Sequence, residues 1–287
     1  MRITVRVPAT SANLGPGFDC LGLALELCNE VTADTDAPPG VSWEGEGTGE
    51  LPTDGSDMVS RAIAFALERS DAPPPPPVAI HARNAIPLER GLGSSSAAAV
   101  AGIVLAGALT GRDPAPDRVF DLASAFEGHP DNAAAAVFGG VTIAAGAGPP
   151  VRLDPHPGLR PVVLVPGRVR LATDRARRAL PGTVPMRDAV ANLQHTALAV
   201  VALTRDPALL ARALEDRLHQ RARLALVPEV RAVFDRLREA GVPVCVSGAG
   251  PSLLAFRSDE APVPNPGAGW RVLEPAVRPR GFDIERA

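Results

Sequence analysis

Hydrophobic and polar positions alternate from the start of the chain. Ile3, Val5 and Val7 are interleaved with Arg2, Thr4 and Arg6, the period-two pattern of a half-buried strand, and Pro8 is expected to end it. A second strand is expected at Leu21–Leu27. Residues 34–56, rich in Gly, Pro, Asp and Glu, read as an exposed loop or weak hairpin. A helical stripe runs through Met58, Val59, Ala62, Ile63, Ala66 and Leu67, within a helix over Asp57–Arg69. The five prolines Pro73–Pro77 form a stiff connector, followed by a short strand at Val78–Ala82. Ala97–Leu109 is apolar on every side and reads as a buried helix, too short for the ~20 residues a membrane span needs.

Asp117–Phe126 predicts a further helix, with strands at Val141–Ala144 and Val151–Leu153. The Gly- and Pro-rich segment Gly146–Pro161 is the best domain boundary, dividing the chain into 1–155 and 156–287. Beyond it come a strand at Pro161–Val165 and a helix at Asp174–Leu180 capped by Thr173. The long helix Met186–Thr204 follows, then another from Asp206-Pro207 and one over Pro228–Ala240. Strands at Val242–Val246, Leu253–Phe256 and Trp270–Leu273 complete an α+β pattern, one sheet covered by helices.

Composition narrows the function classes. The 287 residues suit one large domain or two ordinary ones, and 46% hydrophobic content supports a real core. The 29 basic residues are all arginine, since the chain has no lysine. They are scattered, and the net charge is −3, so nothing favours nucleic acid or an anionic membrane as partner. Three cysteines, Cys20, Cys28 and Cys245, lack metal spacing and fit a reducing compartment. The N-terminal strand pattern is no signal peptide, so a cytoplasmic location is expected.

Chemistry concentrates in four stretches. Pro87-Leu88-Glu89-Arg90-Gly91-Leu92-Gly93-Ser94-Ser95-Ser96-Ala97 places two glycines and three hydroxyls before the buried helix. Unpaired amides at a helix N-terminus favour an anion, and the natural guest is a phosphate; an ordinary helix capped by serine after a glycine turn is the other reading. It lacks the GxxxxGK[ST] of the common P-loop. Thr10, Ser11, Asn13 and Asp19 sit on a polar loop between strands, a binding loop. Glu127, His129, Asp131 and Asn132 cluster before an alanine-rich helix that Asp131 or Asn132 could cap. Arg217, His219, Arg221 and Arg223 form a basic stretch whose simplest role is a solvated helix face.

Together, PATSANLGPGFD at 8–19, PLERGLGSSSAAA at 87–99 and SGAGPS at 247–252 resemble the GHMP kinases. PATSANLGPGFDCLGLAL and EGHPDNAAAAVFGG are similar to the branch of that family that phosphorylates L-homoserine. The resemblance implies a two-lobed fold: an N-terminal lobe like the second domain of ribosomal protein S5 and a ferredoxin-like C-terminal lobe. It also implies ATP and Mg²⁺, phosphate binding by 87–97, and magnesium contacts from Ser95 and Glu127. Homoserine would be held by Arg177 and Arg223 at its carboxylate, by Asp19 and Asn13 at its ammonium, and by Asp131, Asn132 and His129 near its hydroxyl. Thr173 would line the γ-phosphate side, with Asp131, Asn132 and Arg177 closest to the chemistry. A homodimer is expected on the same ground. The branch usually reads an Asn-Leu-Val type of sequence where this chain has Asp57-Met58-Val59, a position associated with the nucleotide base.

Overall fold

The computed structural model describes residues 1–73, 75–146, 148–259 and 261–287. Pro74 of the proline connector and Ala147 of the expected boundary segment fall outside the described residues. In chain order the elements begin β1 (Arg2–Ala12), β2 (Leu21–Asp34), β3 (Gly40–Gly45), α1 (Met58–Leu67), β4 (Ala79–Asn84) and α2 (Ser94–Leu109). Next come α3 (Pro116–Glu127), α4 (Asp131–Phe138), β5 (Val141–Ile143) and β6 (Val151–Leu153). The second half holds β7 (Pro161–Pro166), α5 (Thr173–Arg178), α6 (Met186–Thr204), α7 (Leu210–Ala213), α8 (Gln220–Ala225) and α9 (Pro228–Glu239). It closes with β8 (Val244–Val246), β9 (Leu253–Phe256), β10 (Trp270–Leu273) and β11 (Asp283–Arg286). Among the described residues, no helix is long and apolar enough to cross a membrane.

The N-terminal lobe is built on a seven-stranded sheet ordered β11-β1-β2-β4-β3, with β5 on β2 and β6 on β5. Its core helix α2 is buried around almost its whole circumference, from Ala97 to Leu109, which explains an apolar run without a polar face. The C-terminal sheet is antiparallel with order β10-β7-β9-β8. Counted from β7, this is the 4-1-3-2 order of a ferredoxin-like sheet. β7 lies in the middle and is buried along its length. Val162 and Leu164 pack toward α9, whereas Val163 and Val165 join the core shared with the N-terminal lobe. Burial on both faces accounts for the unbroken Pro-Val-Val-Leu-Val run.

Several local expectations are corrected. Pro8 does not end β1, because the β1–β2 register shifts between Pro8 and Ala9 and pairing resumes to Ala12. A bulge accommodates a residue with no N–H to donate. The region 34–56 is not only loop, since Gly40–Gly45 pairs in parallel with β4. Serine does not cap α2, whose N-cap is Gly93; α4 starts after Pro130 without a side-chain cap, and α5 after Ala172, so neither Asp131 nor Asn132 nor Thr173 caps its helix.

The division into 1–155 and 156–287 also needs amending. The last residues leave the C-terminal lobe and return to the first: Val277 bridges Leu25, and β11 pairs with β1. Arg278, 1% exposed, fastens this return. It donates to Glu26 Oε1 at 2.6 Å, to the Gly281 carbonyl at 3.1 Å, and to Asp283. Arg278→Leu removes three charge-assisted bonds but leaves carboxylates that water can reach, and is expected to cost about 2 kcal/mol, read as a lower midpoint in urea unfolding.

Candidate active site

The three sequence motifs meet at one seam between the lobes. Ser247 Oγ, on the loop between β8 and β9, donates to the Gly91 carbonyl at 2.7 Å and lies 2.9 Å from Ser11 Oγ. The Gly248 amide donates to the Ala12 carbonyl at 3.0 Å, and the Thr10 amide to the Leu92 carbonyl at 3.0 Å. Gly91 and Gly93 both have positive φ, +70° and +67°, which favours glycine. A Cβ on Gly91 would lie 2.2 Å from the Ser247 carbonyl oxygen, and one on Gly93 would lie 1.9 Å from Thr10 Oγ1. The glycines are therefore set by close packing as well as by backbone conformation.

This packing aims the start of α2 into a cleft of ≈ 360 Å³ lined by Glu89 to Ser95, Asp131, Asn132 and both expected arginines. Gly93 supplies no side-chain cap, and among the described residues no acceptor takes the amides of Ser94, Ser95 or Ser96. Three free N–H groups at the positive end of a 16-residue helix make an anion cradle. A second cavity of ≈ 310 Å³ adjoins it and shares Met58, Glu89, Ser94 and Ser95. Its walls are largely apolar, from Val31, Trp43, Leu51, Leu88, Val59 and Ala98. Asn29, Asn84 and Asp57 add polar groups. Asp57 caps α1, accepting from the Ser60 amide at 3.0 Å and the Ser60 hydroxyl at 2.6 Å.

Arg177 and Arg223 both face the cleft, one from α5 and one from α8. Arg177 forms a bidentate pair with Asp19, at 2.9 and 2.8 Å. The two groups expected at opposite ends of an amino acid are thus joined to each other. This pairing raises the Arg177 pKa from its ordinary value. Arg223 is 2% exposed, and burial, reinforced by the nearby Arg177, brings its pKa down to about 10. It donates to the Gly248 carbonyl at 2.7 Å and to His219 Nδ1 at 3.0 Å, while its buried Nε has no partner among the described residues. The Phe18 ring lies under both guanidinium groups, 5.9 Å from Arg177 and 5.3 Å from Arg223, and stacks on His219.

The stretch 217–223 is therefore not a solvated face. His219, Gln220 and Arg223 are buried, although Arg217 and Arg221 are exposed. Burial drives the His219 pKa down to about 4, so its ring is neutral and Nε2–H donates to the Gly15 carbonyl at 2.7 Å. Nδ1 is then the acceptor that orients Arg223. Asn13 is also a positioning group: it donates to the Gly248 carbonyl at 2.9 Å and accepts from the Asp19 amide at 2.9 Å.

The carboxylate cluster is only partly as expected. Asp131, 3% exposed, accepts from His129 Nδ1 at 3.1 Å and from the Asn132 amide at 2.8 Å. Asn132 Oδ1 accepts from Thr10 at 2.7 Å, which turns its NH₂ the other way. Thr173 lines the cleft. Glu127 is bonded by the Ser96 hydroxyl, not by Ser95, and Ser95 is exposed on the cleft side. Pro87, Ser96, Ala97 and Glu127 do not line the cleft, and Leu88 belongs to the adjoining chamber. Phe18, His219 and Ser247 lie in stretches the sequence singled out without indicating what they contact, and Asn29 and Asn84 lie outside them, because each is bonded to a partner distant in the chain.

Comparison with known proteins agrees with the geometry. Residues 57–140 match the GHMP kinases N terminal domain, and residues 195–265 match the GHMP kinases C terminal family. The chain belongs to the GHMP kinase family, among its homoserine kinases. It is 49% identical to a homoserine kinase of Clavibacter michiganensis, over 90% of this chain and 83% of the relative. It is 44% identical to one of Streptomyces avermitilis, over 98% and 95%. The crystal structure of a homoserine kinase from Cytophaga hutchinsonii superposes with a TM-score of 0.82 at 28% identity, covering 99% of this chain and 97% of the other. The α+β two-lobed fold expected from the motifs is borne out.

Two measurements test this geometry. Gly93→Ala forces a Cβ onto Thr10 Oγ1 and strains the left-handed N-cap, so ATP affinity, read by calorimetry, should fall at least about tenfold. His129 has a pKa raised above its ordinary value, first by its bond to Asp131. A raised folded-state value stabilises the native chain fully below about pH 6.5, and that stabilisation fades as pH climbs through the raised value. The His129 ring, followed by NMR, should titrate above about 6.5, and His129→Gln should flatten that part of the decline in melting temperature.

Proposed function

We propose that the protein transfers the γ-phosphoryl group of ATP to the side-chain hydroxyl of L-homoserine, giving ADP and O-phospho-L-homoserine, a step of threonine synthesis. The observation that carries this reading is the shared cleft: a cradle of free amides at α2 faces Asp19, Arg177 and Arg223 across it. A phosphate and a zwitterion can meet there. The amides of Ser94, Ser95 and Ser96 hold phosphate oxygens, and the apolar chamber takes the base. The substrate carboxylate draws on donors of Arg177 and Arg223 not committed to Asp19, Gly248 and His219. Its ammonium meets the remaining lone pairs of Asp19, closing a ring of alternating charge. Asn132, its NH₂ set by Thr10, donates toward the phosphate.

The donor set also fits Mg²⁺. Among the described residues, no cluster of three or more His, Cys, Asp or Glu could cage a metal. Mg²⁺ needs no cage, because it is held by one or two protein oxygens plus waters and phosphates. Ser95 lines the cleft and would contact the ion there, and Glu127, held behind it by the Ser96 hydroxyl, would supply the carboxylate. When bound, the ion neutralises charge on the phosphate oxygens.

Asp131 works mainly as an oriented acceptor. One oxygen is held by His129 and the Asn132 amide, which leaves the other for the homoserine hydroxyl. Phosphoryl transfer passes through a loose transition state in which positioning outweighs base strength. Asp131→Asn should therefore keep measurable activity, losing no more than about 10²-fold in kcat. Arg177→Ala should lose about 10²-fold or more in kcat/KM for homoserine. The deciding assay is coupled ADP release with homoserine, serine, threonine, mevalonate and galactose. Homoserine should far exceed the rest; comparable turnover of mevalonate or galactose would sink the reading.

A further inference from the structure

We propose that Asn29 reads the nucleobase in the apolar chamber, with Asn84 beside it, and that the pair selects adenine. This rests on the ATP-dependent reading above and adds the residue that sets base identity. Asn29 is 3% exposed, on β2, at the wall of the chamber. Its Oδ1 accepts two backbone N–H bonds, from Ala85 at 2.9 Å and Ile86 at 3.0 Å. The amide cannot be flipped, because its NH₂ would then face two donors. The NH₂ borders the chamber and has no acceptor among the described residues. The donor is therefore reachable from the chamber, and its direction is fixed by the two bonds to Oδ1, so a ligand there can accept from it.

Asn84 is set in the opposite sense. Its Nδ2 donates to the Glu46 carbonyl at 3.2 Å, which leaves Oδ1 as the uncommitted acceptor of a residue that lines the chamber. A fixed donor and a fixed acceptor between apolar walls match a flat heterocycle that presents a ring nitrogen beside an exocyclic amine. Adenine does so along both its N1–N6 and N7–N6 edges. Position 57, where the related branch usually carries an amide, is no substitute here. The Asp57 carboxylate is engaged at both oxygens by Ser60 and offers no donor. The donor that reads a ring nitrogen has passed to the strand.

The test is equilibrium binding by calorimetry, which needs neither homoserine nor turnover, so it stands or falls apart from the choice of acceptor. ATP, 1-deaza-ATP, 7-deaza-ATP and GTP are titrated against the full chain with Mg²⁺. One deaza analogue, lacking the nitrogen that Asn29 meets, should bind about tenfold weaker than ATP, and GTP should bind weaker than ATP. Asn29→Asp keeps an acceptor for Ala85 and Ile86 but removes the donor. It should lower ATP affinity about tenfold and erase the difference between ATP and that analogue. Both deaza analogues binding as tightly as ATP would overturn the proposal, as would GTP binding equally well. A folded Asn29→Asp protein with unchanged ATP affinity would do the same. The analogue series on the unaltered chain decides the matter even if the variant does not fold.

Discussion

The arrangement depends on how closely two backbones approach at the seam between the lobes. The glycine-serine loop before α2 belongs to the N-terminal lobe, and the loop at Ser247–Ser252 belongs to the C-terminal one. The Ser247 hydroxyl joins them by donating to the Gly91 carbonyl, and the Ser252 amide donates to the Arg90 carbonyl at 3.3 Å. Each bond is worth only about 1 kcal/mol net. Their weight lies in geometry, because the free amides of α2 sit on one side and Arg223 on the other. A side chain at Gly91 would push the halves apart at their closest point. The site is thus an inter-lobe construction that neither lobe contains alone.

Charge is handled without lysine, and the consequences are visible. A guanidinium offers five donors in a plane, so Arg177 can bond Asp19 twice and still keep donors in reserve. Arg223 would be a costly buried cation if left alone. Neutral groups hold it instead: a carbonyl, the Nδ1 of a histidine that burial keeps uncharged, and the face of Phe18. A protonated His219 would repel it, so the low His219 pKa is part of how Arg223 is kept in place. The chain Gly15–His219–Arg223–Gly248 ties the first motif to the third through side chains of α8 and its N-cap.

Much of the fold was legible because periodicity and burial agree. Alternation at Ile3, Val5 and Val7 marked β1, and the apolar stretch from Ala97 marked α2. What stayed hidden depends on partners far along the chain. Pro8 looks like a terminator until β2 supplies a bulge opposite it. β11 has too little apolar pattern to be seen, and its strand exists because β1 offers a free edge and Arg278 fastens the approach. The 217–223 stretch looked solvated because arginine and histidine usually are. Its burial follows from acceptors at Gly15 and Gly248, which no local reading could place beside it. For the site, the resemblance pointed to a glycine-serine loop and two arginines that line one cleft, but gave no sign that Arg177 would already hold Asp19.

Oriented amides recur in the cleft and its neighbour, and they suggest how the site trades chemical strength for placement. Asn13 is bonded at both ends and serves only to position its neighbours, while Asn29, Asn84 and Asn132 each have one end of the side chain bonded to protein. The direction of the other end is thereby fixed before anything binds. An amide carries no charge, so it can be buried at lower cost than a lysine or a carboxylate. It also has no titration that would change its role with pH. In a reaction whose transition state asks mainly for alignment, such groups contribute by removing the freedom that the reactants would otherwise have to lose. In the proposed reaction the ionisable residues are then left with the task only charge can do, which is to hold the two ends of a zwitterion and the phosphates it approaches. This division accounts for a cleft whose buried aspartate is oriented by a histidine and a backbone amide and not left free as a strong base.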